Sequence, residues 1–354
     1  MESIRIRMTK FRLFFYRLTH WEYWPMECIY FPLFPVWIYF AIRSRSLFFF
    51  NAANPSIKNG GMAMESKKEI YDIIPGEYIP KTILFNTNAT PEDIIASAKG
   101  HAIKLPFIIK PDVGMKGLGV QIVESEIELD GYLKNSKNDF LVQEFISFKK
   151  EVGIFYARMP GEEQGQITGI VYKDFLSVLG DGESTLLELI KKNPRSYFQL
   201  AALKKMYGEK LKKVLRKNEK LTLVPYGSHT RGAQFIDITH QLKPQLLETM
   251  NSICKKIDGF YFGRLDVMYN NWEELCAGKN FSIIELNGAG SEPTHIYDPS
   301  HSLFFAWKEI IRHWYLLYKI SAINFKRGHP YLSFTEGKAM YKSNNELETR
   351  LRAF

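Results

Sequence analysis

The stretch that most constrains this chain runs from Gly263 to Glu292, GRLDVMYNNWEELCAGKNFSIIELNGAGSE. It reads as two strands, RLDVMY and FSIIEL, joined by a polar loop, with apolar residues alternating against residues that face a common site. Asp266 lies in the first strand and Glu285 ends the second. Asn287 follows two residues later on the same side, because strand side chains repeat every two residues. Two carboxylates and an amide oxygen at one end of a strand pair suit a hard cation such as Mg²⁺, which takes one or two protein carboxylates and fills its other positions with phosphate and water. An ordinary surface hairpin whose acids face solvent has the same pattern, so the rest of the chain must decide. Under the metal reading, Asp266 and Glu285 are both expected to face solvent rather than the core.

The 354 residues hold core for two or three domains, and 45% hydrophobic with 24% charged residues is a globular balance. Cys28, Cys254 and Cys276 are far apart and odd in number, so they frame no disulfide scaffold and no zinc site, which fits a reducing cytoplasmic setting. The formal net charge is +9. Between Lys191 and Lys220, eleven Lys and Arg stand against Glu209 and Glu219, a local +9, so the remainder sums to zero. The run reads first as a solvated helix face, and second as a patch for anionic lipid or an acidic substrate.

Residues 1–45 interleave Arg5, Arg7, Lys10, Arg12 and Arg17 with apolar side chains, and positions 11–50 hold sixteen of the 51 aromatic residues. The uncharged run Cys28–Ile42 is only fifteen residues long and contains Pro32 and Pro35, short of the roughly 20 that a spanning helix needs. No small-residue cleavage site follows it, so it does not read as a secretory signal. Two readings stay open for this basic, aromatic arm: a packing arm buried on the protein, or a segment lying on an anionic membrane surface.

Further along, RSLFFFNAANP reads as a short strand, and TPEDIIASAKG as a helix capped by Thr90. FIIKPDVGMKGLGVQIV is strand, glycine-rich loop, strand. Gly114, Gly117 and Gly119 let backbone amides approach phosphates, while Lys110 and Lys116 bring positive charge. GxxxxGK[ST] is absent and a strand follows the loop, so this is neither a P-loop nor a dinucleotide fingerprint. The segment LVQEFISFKKEVG offers backbone groups for a purine and the carboxylates of Glu144 and Glu151 for hydroxyls. QLKPQLLETMNSICKKID is an amphipathic helix, SLFFAWKEIIRHWYLLYKISAINF a long one, and the tail after Lys338 is polar.

In this order the pieces resemble the ATP-grasp superfamily of carboxylate–amine ligases over roughly residues 60–300. The resemblance implies an α+β, ATP-grasp fold, two lobes clasping ATP. It sets Lys67 and Lys110 against the nucleotide phosphates and makes the loop of Gly114, Lys116, Gly117 and Gly119 a mobile lid. Adenine falls at Gln143, Glu144, Phe145 and Ile146, and ribose at Glu151. Lys173 becomes a further phosphate-side lysine, and Arg264 a γ-phosphate contact. Asp266, Glu285 and Asn287 match the metal-ligand patterns R-x-D and E-x-N, with two Mg²⁺ ions. The stretch from GDGESTLLELI to VPYGSHTRGAQFIDIT also resembles the ATP-grasp module of cyanophycin synthetase, which makes Arg231 a phosphate or substrate contact. D-alanine–D-alanine ligases follow E-x-N with a Pro-Gly loop; here ELNGAGSEPTH stands instead, so D-Ala specificity does not carry over. Gly288, Ser291, Glu292 and His295 would line the acceptor side, and His229, His295 and His301 are expected to be structural or substrate contacts.

The implied domains are an N-terminal arm (1–45), a short pre-ATP-grasp segment (46–105), a small lobe with the lid (106–150), a large lobe with the metal site (151–301), and a C-terminal helix and tail (302–354). The implied activity is ADP-forming ligation of a small-molecule carboxylate, activated as an acylphosphate, to an amine, with no nucleic-acid partner. The same parts fit an ATP-grasp kinase acting on a hydroxyl, and a membrane-peripheral protein whose nucleotide site is regulatory.

Overall fold

The computed structural model describes residues 10–114 and 117–352. Its strands are β1 (Thr82–Phe85), β2 (Phe107–Pro111), β3 (Gln121–Val123), β4 (Phe140–Glu144), β5 (Lys150–Ala157), β6 (Gln166–Asp174), β7 (Ser177–Leu179), β8 (Lys220–Thr222), β9 (Gln234–Asp237), β10 (Phe262–Tyr269) and β11 (Phe281–Asn287). The smaller antiparallel sheet has the order β1-β4-β2-β3 and the larger β11-β10-β5-β6-β9, while β7 and β8 form a separate ribbon. Helices Pro91–Gly100 and Glu126–Asn135 bury Ile94, Ala98, Leu129 and Tyr132 against the smaller sheet. Thr90 caps the first of these in a capping box with Asp93.

The two faces of the larger sheet differ. On one, Val152, Ile154, Leu265 and Val267 pack against Leu246, Met250, Ile253 and Cys254 of helix Pro244–Lys256. Each fully buried side chain of this kind stabilises the fold by about 1.5–3 kcal/mol. On the other face, Phe155 and Phe262 meet Phe49, Phe50 and the long helix Leu303–Lys326. Beyond them that face turns polar, with Glu151, Lys173, Arg264 and Asp266.

Several elements differ from the sequence reading. RSLFFFNAANP is not a strand: Phe49–Ala53 forms a 3₁₀ turn buried beneath helix Leu303–Lys326. The polar tail is helical over Phe334–Arg352 and buries Met340, Leu347 and Leu351. β1, expected in the segment 46–105 ahead of the small lobe, pairs with β4 inside the smaller sheet. In the basic run most cations are exposed, as on a solvated face, but Arg195 is partly buried, its guanidinium donating twice to Glu22.

The arm packs on the larger lobe through one face. Ile29 and Leu33 are buried against Ile296 and Ala306. Trp21 Nε1 donates to the His301 carbonyl and Trp307 Nε1 to the Ile29 carbonyl, both at 2.9 Å. Phe11, Phe14, Phe31, Phe34 and Ile42 point outward. Residues 1–9, with Arg5 and Arg7, lie outside the described residues. Among the described residues no helix is long and apolar enough to cross a membrane.

Asn54 ties the arm's exit to the larger sheet. Its Oδ1 accepts from the Tyr261 and Phe262 amides at 2.9 Å, and its Nδ2 donates to the Phe262 carbonyl at 2.8 Å and the Gly60 carbonyl at 2.9 Å. Asn54→Ala strands these buried groups, at about 1–3 kcal/mol for each one left unpaired. We expect urea unfolding to show a loss of about 3 kcal/mol or more; a midpoint unchanged from wild type would refute this role.

Candidate functional site

β10 and β11 are directly paired, with Asp266 opposite Glu285 and Arg264 opposite Asn287, so these four side chains share one face. A bulge follows, with Val267 opposite Ile283 and Ile284 as the extra residue. On the other side β10 pairs with β5, where Gly153 stands opposite Asp266. A Cβ at Gly153 would lie 3.1 Å from both Asp266 Oδ1 and Arg264 Cδ, and 2.9 Å from Val171. The glycine makes room for the charged pair.

Asp266 does not face solvent as expected. It is 2% exposed and its carboxylate is held by Arg264 (Nε–Oδ1 2.8 Å, Nη2–Oδ2 3.1 Å) and by Lys173 (Nζ–Oδ1 3.1 Å). Lys173 Nζ also lies 2.6 Å from Glu151 Oε1, and Glu151 Oε2 accepts from the Gly227 amide at 2.9 Å. Burial alone would push the Asp266 carboxyl up, but Arg264 and Lys173 outweigh it and hold it well below the usual carboxylate range. Glu151, expected at a ribose, is thus engaged: a ribose hydroxyl would have to displace Lys173 or the Gly227 amide.

Glu285 and Asn287 are in the opposite condition. Neither side chain makes a hydrogen bond or ion pair among the described residues, and Asn287 Nδ2 is buried without a partner. Glu65 joins them: its Oε2 is buried and unpartnered, and burial, with the Glu285 charge adding to it, raises its carboxyl above the ordinary value. The two neighbouring carboxylates and the Asn287 amide oxygen are hard-oxygen donors of the kind a divalent cation takes, while the unpartnered Asn287 Nδ2 would suit an acceptor oxygen. The sequence reading missed Glu65, although it sits in the same Glu-Ser-Lys tripeptide as Lys67.

The smaller sheet meets β11 here. Lys110 Nζ donates to Tyr71 Oη at 2.8 Å and Gln143 Oε1 at 2.9 Å, and reaches the Ile284 carbonyl at 3.5 Å. Tyr71 Oη donates to that same carbonyl, the one the bulge frees. Burial pulls the Lys110 ammonium down to about 8, against the Glu285 and Asp112 charges that raise it. Lys67 Nζ donates to the carbonyl of Gly114 at 2.8 Å and of Asp112 at 3.3 Å, tying the glycine-rich loop to its helix. Tyr71 was also missed; it lies four residues after Lys67, one helical turn on, a spacing that puts both on one face.

Gly117 and Gly119 adopt left-handed φ of 68° and 70°. Lys116 lies outside the described residues. Glu144 ends β4 with its amide on the Lys81 carbonyl, and Phe145 and Ile146 begin the short link to β5 that joins the two sheets. Arg231, four residues beyond Gly227, donates to Tyr226 Oη at 3.2 Å. Each of the three histidines has a carboxylate partner: His229 with Glu22, His295 with Glu309, His301 with Asp237. Of the residues expected to line an acceptor, Glu292 accepts through Oε1 from Tyr30 at 2.6 Å and Tyr297 at 3.2 Å, and Arg264 Nη1 reaches the Glu292 carbonyl at 3.4 Å.

Residues 72–163 match the RimK-like ATP-grasp domain. The chain is 27% identical over 203 residues to the glutathione biosynthesis bifunctional protein GshAB of Clostridium perfringens (strain 13 / Type A), covering 51% of this chain and 25% of that protein. It is also 27% identical over 217 residues to its counterpart in Desulfotalea psychrophila, covering 53% and 26%. The chain thus spans about a quarter of the length of these relatives. Among solved structures, D-alanine–D-alanine ligase from Bacillus anthracis overlays with a TM-score of 0.44 at 14% identity, covering 76% of this chain and 70% of that one. The two-sheet architecture is an α+β, ATP-grasp fold.

The network separates two carboxylates that the sequence treats alike. Asp266→Asn leaves Arg264 and Lys173 buried beside one anion, Glu151, and should lower stability by about 3–5 kcal/mol. Glu285→Gln, with no partner to lose, should stay within about 0.5 kcal/mol of wild type. Thermal unfolding of both variants checks the pair; equal effects would contradict the division.

Proposed function

We propose that this ATP-grasp chain is an ADP-forming ligase that activates a small-molecule carboxylate with ATP and joins it to an amine. The observation that carries it is the meeting of two unlike groups at one place: the buried cation Lys110 from the smaller sheet, and on the larger the unpaired carboxylate of Glu285 on the same face as Asn287, whose buried Nδ2 has no partner. ATP placed between the sheets would set its adenine by Gln143–Ile146. Its phosphates would lie toward Lys67, Lys110 and the amides of Gly114, Gly117 and Gly119. Glu151, already bonded to Lys173, bounds the ribose side.

Mg²⁺ held by Glu285 and Asn287, with Asp266 opposite Glu285 and Glu65 at hand, would neutralise β- and γ-phosphate charge. Arg264, fixed by Asp266, points its Nη1 toward Glu292 and would supply positive charge to the negative oxygens of a transferring phosphoryl group. A substrate carboxylate oxygen attacks the γ-phosphorus, the bond to the β-phosphate oxygen breaks, and ADP leaves. The amine nitrogen then attacks the acyl carbon, phosphate departs, and the nitrogen gives up a proton. Lys173 holds Asp266 and Glu151 in place, and Arg231 is a substrate contact on the segment that Gly227 anchors to Glu151.

Incubation with ATP, Mg²⁺, pooled carboxylates and hydroxylamine should give ADP together with a hydroxamate, the trapped acyl group. ADP with a phosphorylated alcohol and no hydroxamate would convert the assignment to a kinase.

Lys110 adds a pH signature. Its buried ammonium, at about 8, must be protonated to attract phosphate, so kcat/KM for ATP should fall above about pH 8, close to tenfold per pH unit. Lys110→Arg should remove that limb from the pH profile. A limb that survives in the arginine variant would assign it to another group.

A further inference from the structure

A helix ordinarily turns its i, i+3, i+4, i+7 apolar stripe toward the core. Helix Lys10–Thr19 does the reverse. Phe11, Phe14, Phe15 and Leu18 have that spacing, and all four are exposed, between 46% and 71%. What the helix turns inward is Leu13, together with Tyr16, which stacks on His20 and approaches Phe198. The pattern continues along the arm. Helix Phe34–Ser44 buries Phe40 and Ala41 against helix Leu303–Lys326 and leaves Phe34, Tyr39 and Ile42 outside, while Phe31, just before it, is 79% exposed. Of the twenty-two large hydrophobic residues exposed among the described residues, ten lie between Phe11 and Leu47. An apolar surface of this density is uncommon on a protein with nothing to cover it.

The charges beside these side chains say what covers them. Arg12, Arg17, Arg43 and Arg45 are exposed on the same segment, whereas Glu22 is buried against Arg195, which leaves Glu27 as the exposed carboxylate there. On the adjoining helix, Lys308 and Lys319 are exposed as well, near Phe304 and Tyr315. A second copy of this chain would bring like charges together. A surface of anionic headgroups over an acyl interior complements both the cations and the aromatics.

We propose that residues 11–47, with the exposed face of helix Leu303–Lys326, form a surface that lies on an anionic lipid bilayer without crossing it. The arm's inward face reaches the acceptor end through Tyr30 and Glu292, so the residues that would contact lipid neighbour those that bound the acceptor side.

The test uses the full chain without nucleotide, so it does not depend on the ligase reading. Sedimentation with vesicles of equimolar phosphatidylglycerol and phosphatidylcholine should carry the protein down. Pure phosphatidylcholine vesicles should leave it in solution, and added salt should release it. The triple variant F14S/F31S/I42S alters exposed side chains alone and should bind at least about tenfold more weakly, with thermal unfolding unchanged as the control on folding. Protein that stays in the supernatant with anionic vesicles overturns the proposal, as does a dimer in sedimentation equilibrium that the same three substitutions dissolve. Equal binding to neutral vesicles would also overturn it, since the charge complementarity would then be idle.

Discussion

The larger sheet is organised by a buried chain of alternating charge, Arg264–Asp266–Lys173–Glu151, laid across β10, β5 and β6. Two cations and two anions leave it formally neutral, which is how four charged groups can be buried at all, since any one alone would cost several kcal/mol to desolvate. Its members come from three strands, so their geometry holds only if the register of all three is kept. Gly153 and Gly227 supply the space: a Cβ at Gly227 would sit 2.4 Å from Lys173 Cδ and 2.7 Å from Glu151 Oε2. The network therefore fixes where β10 presents Arg264, and through the β10–β11 pairing it fixes Glu285 and Asn287 too.

The bulge at Ile284 couples this scaffold to the smaller sheet. An unbroken ladder would pair the Ile284 carbonyl along the strand; here it accepts from Tyr71, with Lys110 close by. Under the proposed function a nucleotide-binding cation must have somewhere to rest without its ligand, and Tyr71 and Gln143 provide neutral oxygens for Lys110. Because those oxygens carry no charge, burial dominates and pulls the ammonium down. The loop of Gly114, Gly117 and Gly119 is restrained in the same way, by Lys67 on backbone carbonyls rather than on a carboxylate. The neutral partners of Lys110 and Lys67 contrast with the charged partners around Asp266.

Much of this was legible in sequence because strand periodicity is strict. Alternation placed Asp266, Glu285 and Asn287 on one face, and the register agrees. What alternation cannot encode is which of two like carboxylates is consumed by neighbours distant in sequence. Asp266 read as solvent-facing because Lys173, ninety-three residues earlier, is invisible from β10. Phe48–Phe50 read as a strand because three consecutive aromatics satisfy β propensity; the fold instead uses them as a buried plug under helix Leu303–Lys326, with Asn54 completing hydrogen bonds a strand would have made. The final helix was missed because its buried positions, Met340, Leu347 and Leu351, are too sparse along Phe334–Arg352 to register as a stripe.

The arm shows why one segment supported two readings. Its aromatics are too many for one face of three short helices, so packing consumes some and leaves the rest outside. Trp21, Ile29, Tyr30 and Leu33 serve the protein through a shared core and specific hydrogen bonds. Phe11, Phe14, Phe31 and Ile42 are exposed and enter none of the buried clusters among the described residues. Selection for folding alone gives no reason to keep large apolar groups in water, because each exposed one favours aggregation and adds no stability. They stand beside exposed arginines, on the arm whose Tyr30 holds Glu292, and this puts the unexplained half of the arm next to a residue proposed for the acceptor side. A substrate bound at Glu292 under the proposed function would sit next to the surface those side chains cover.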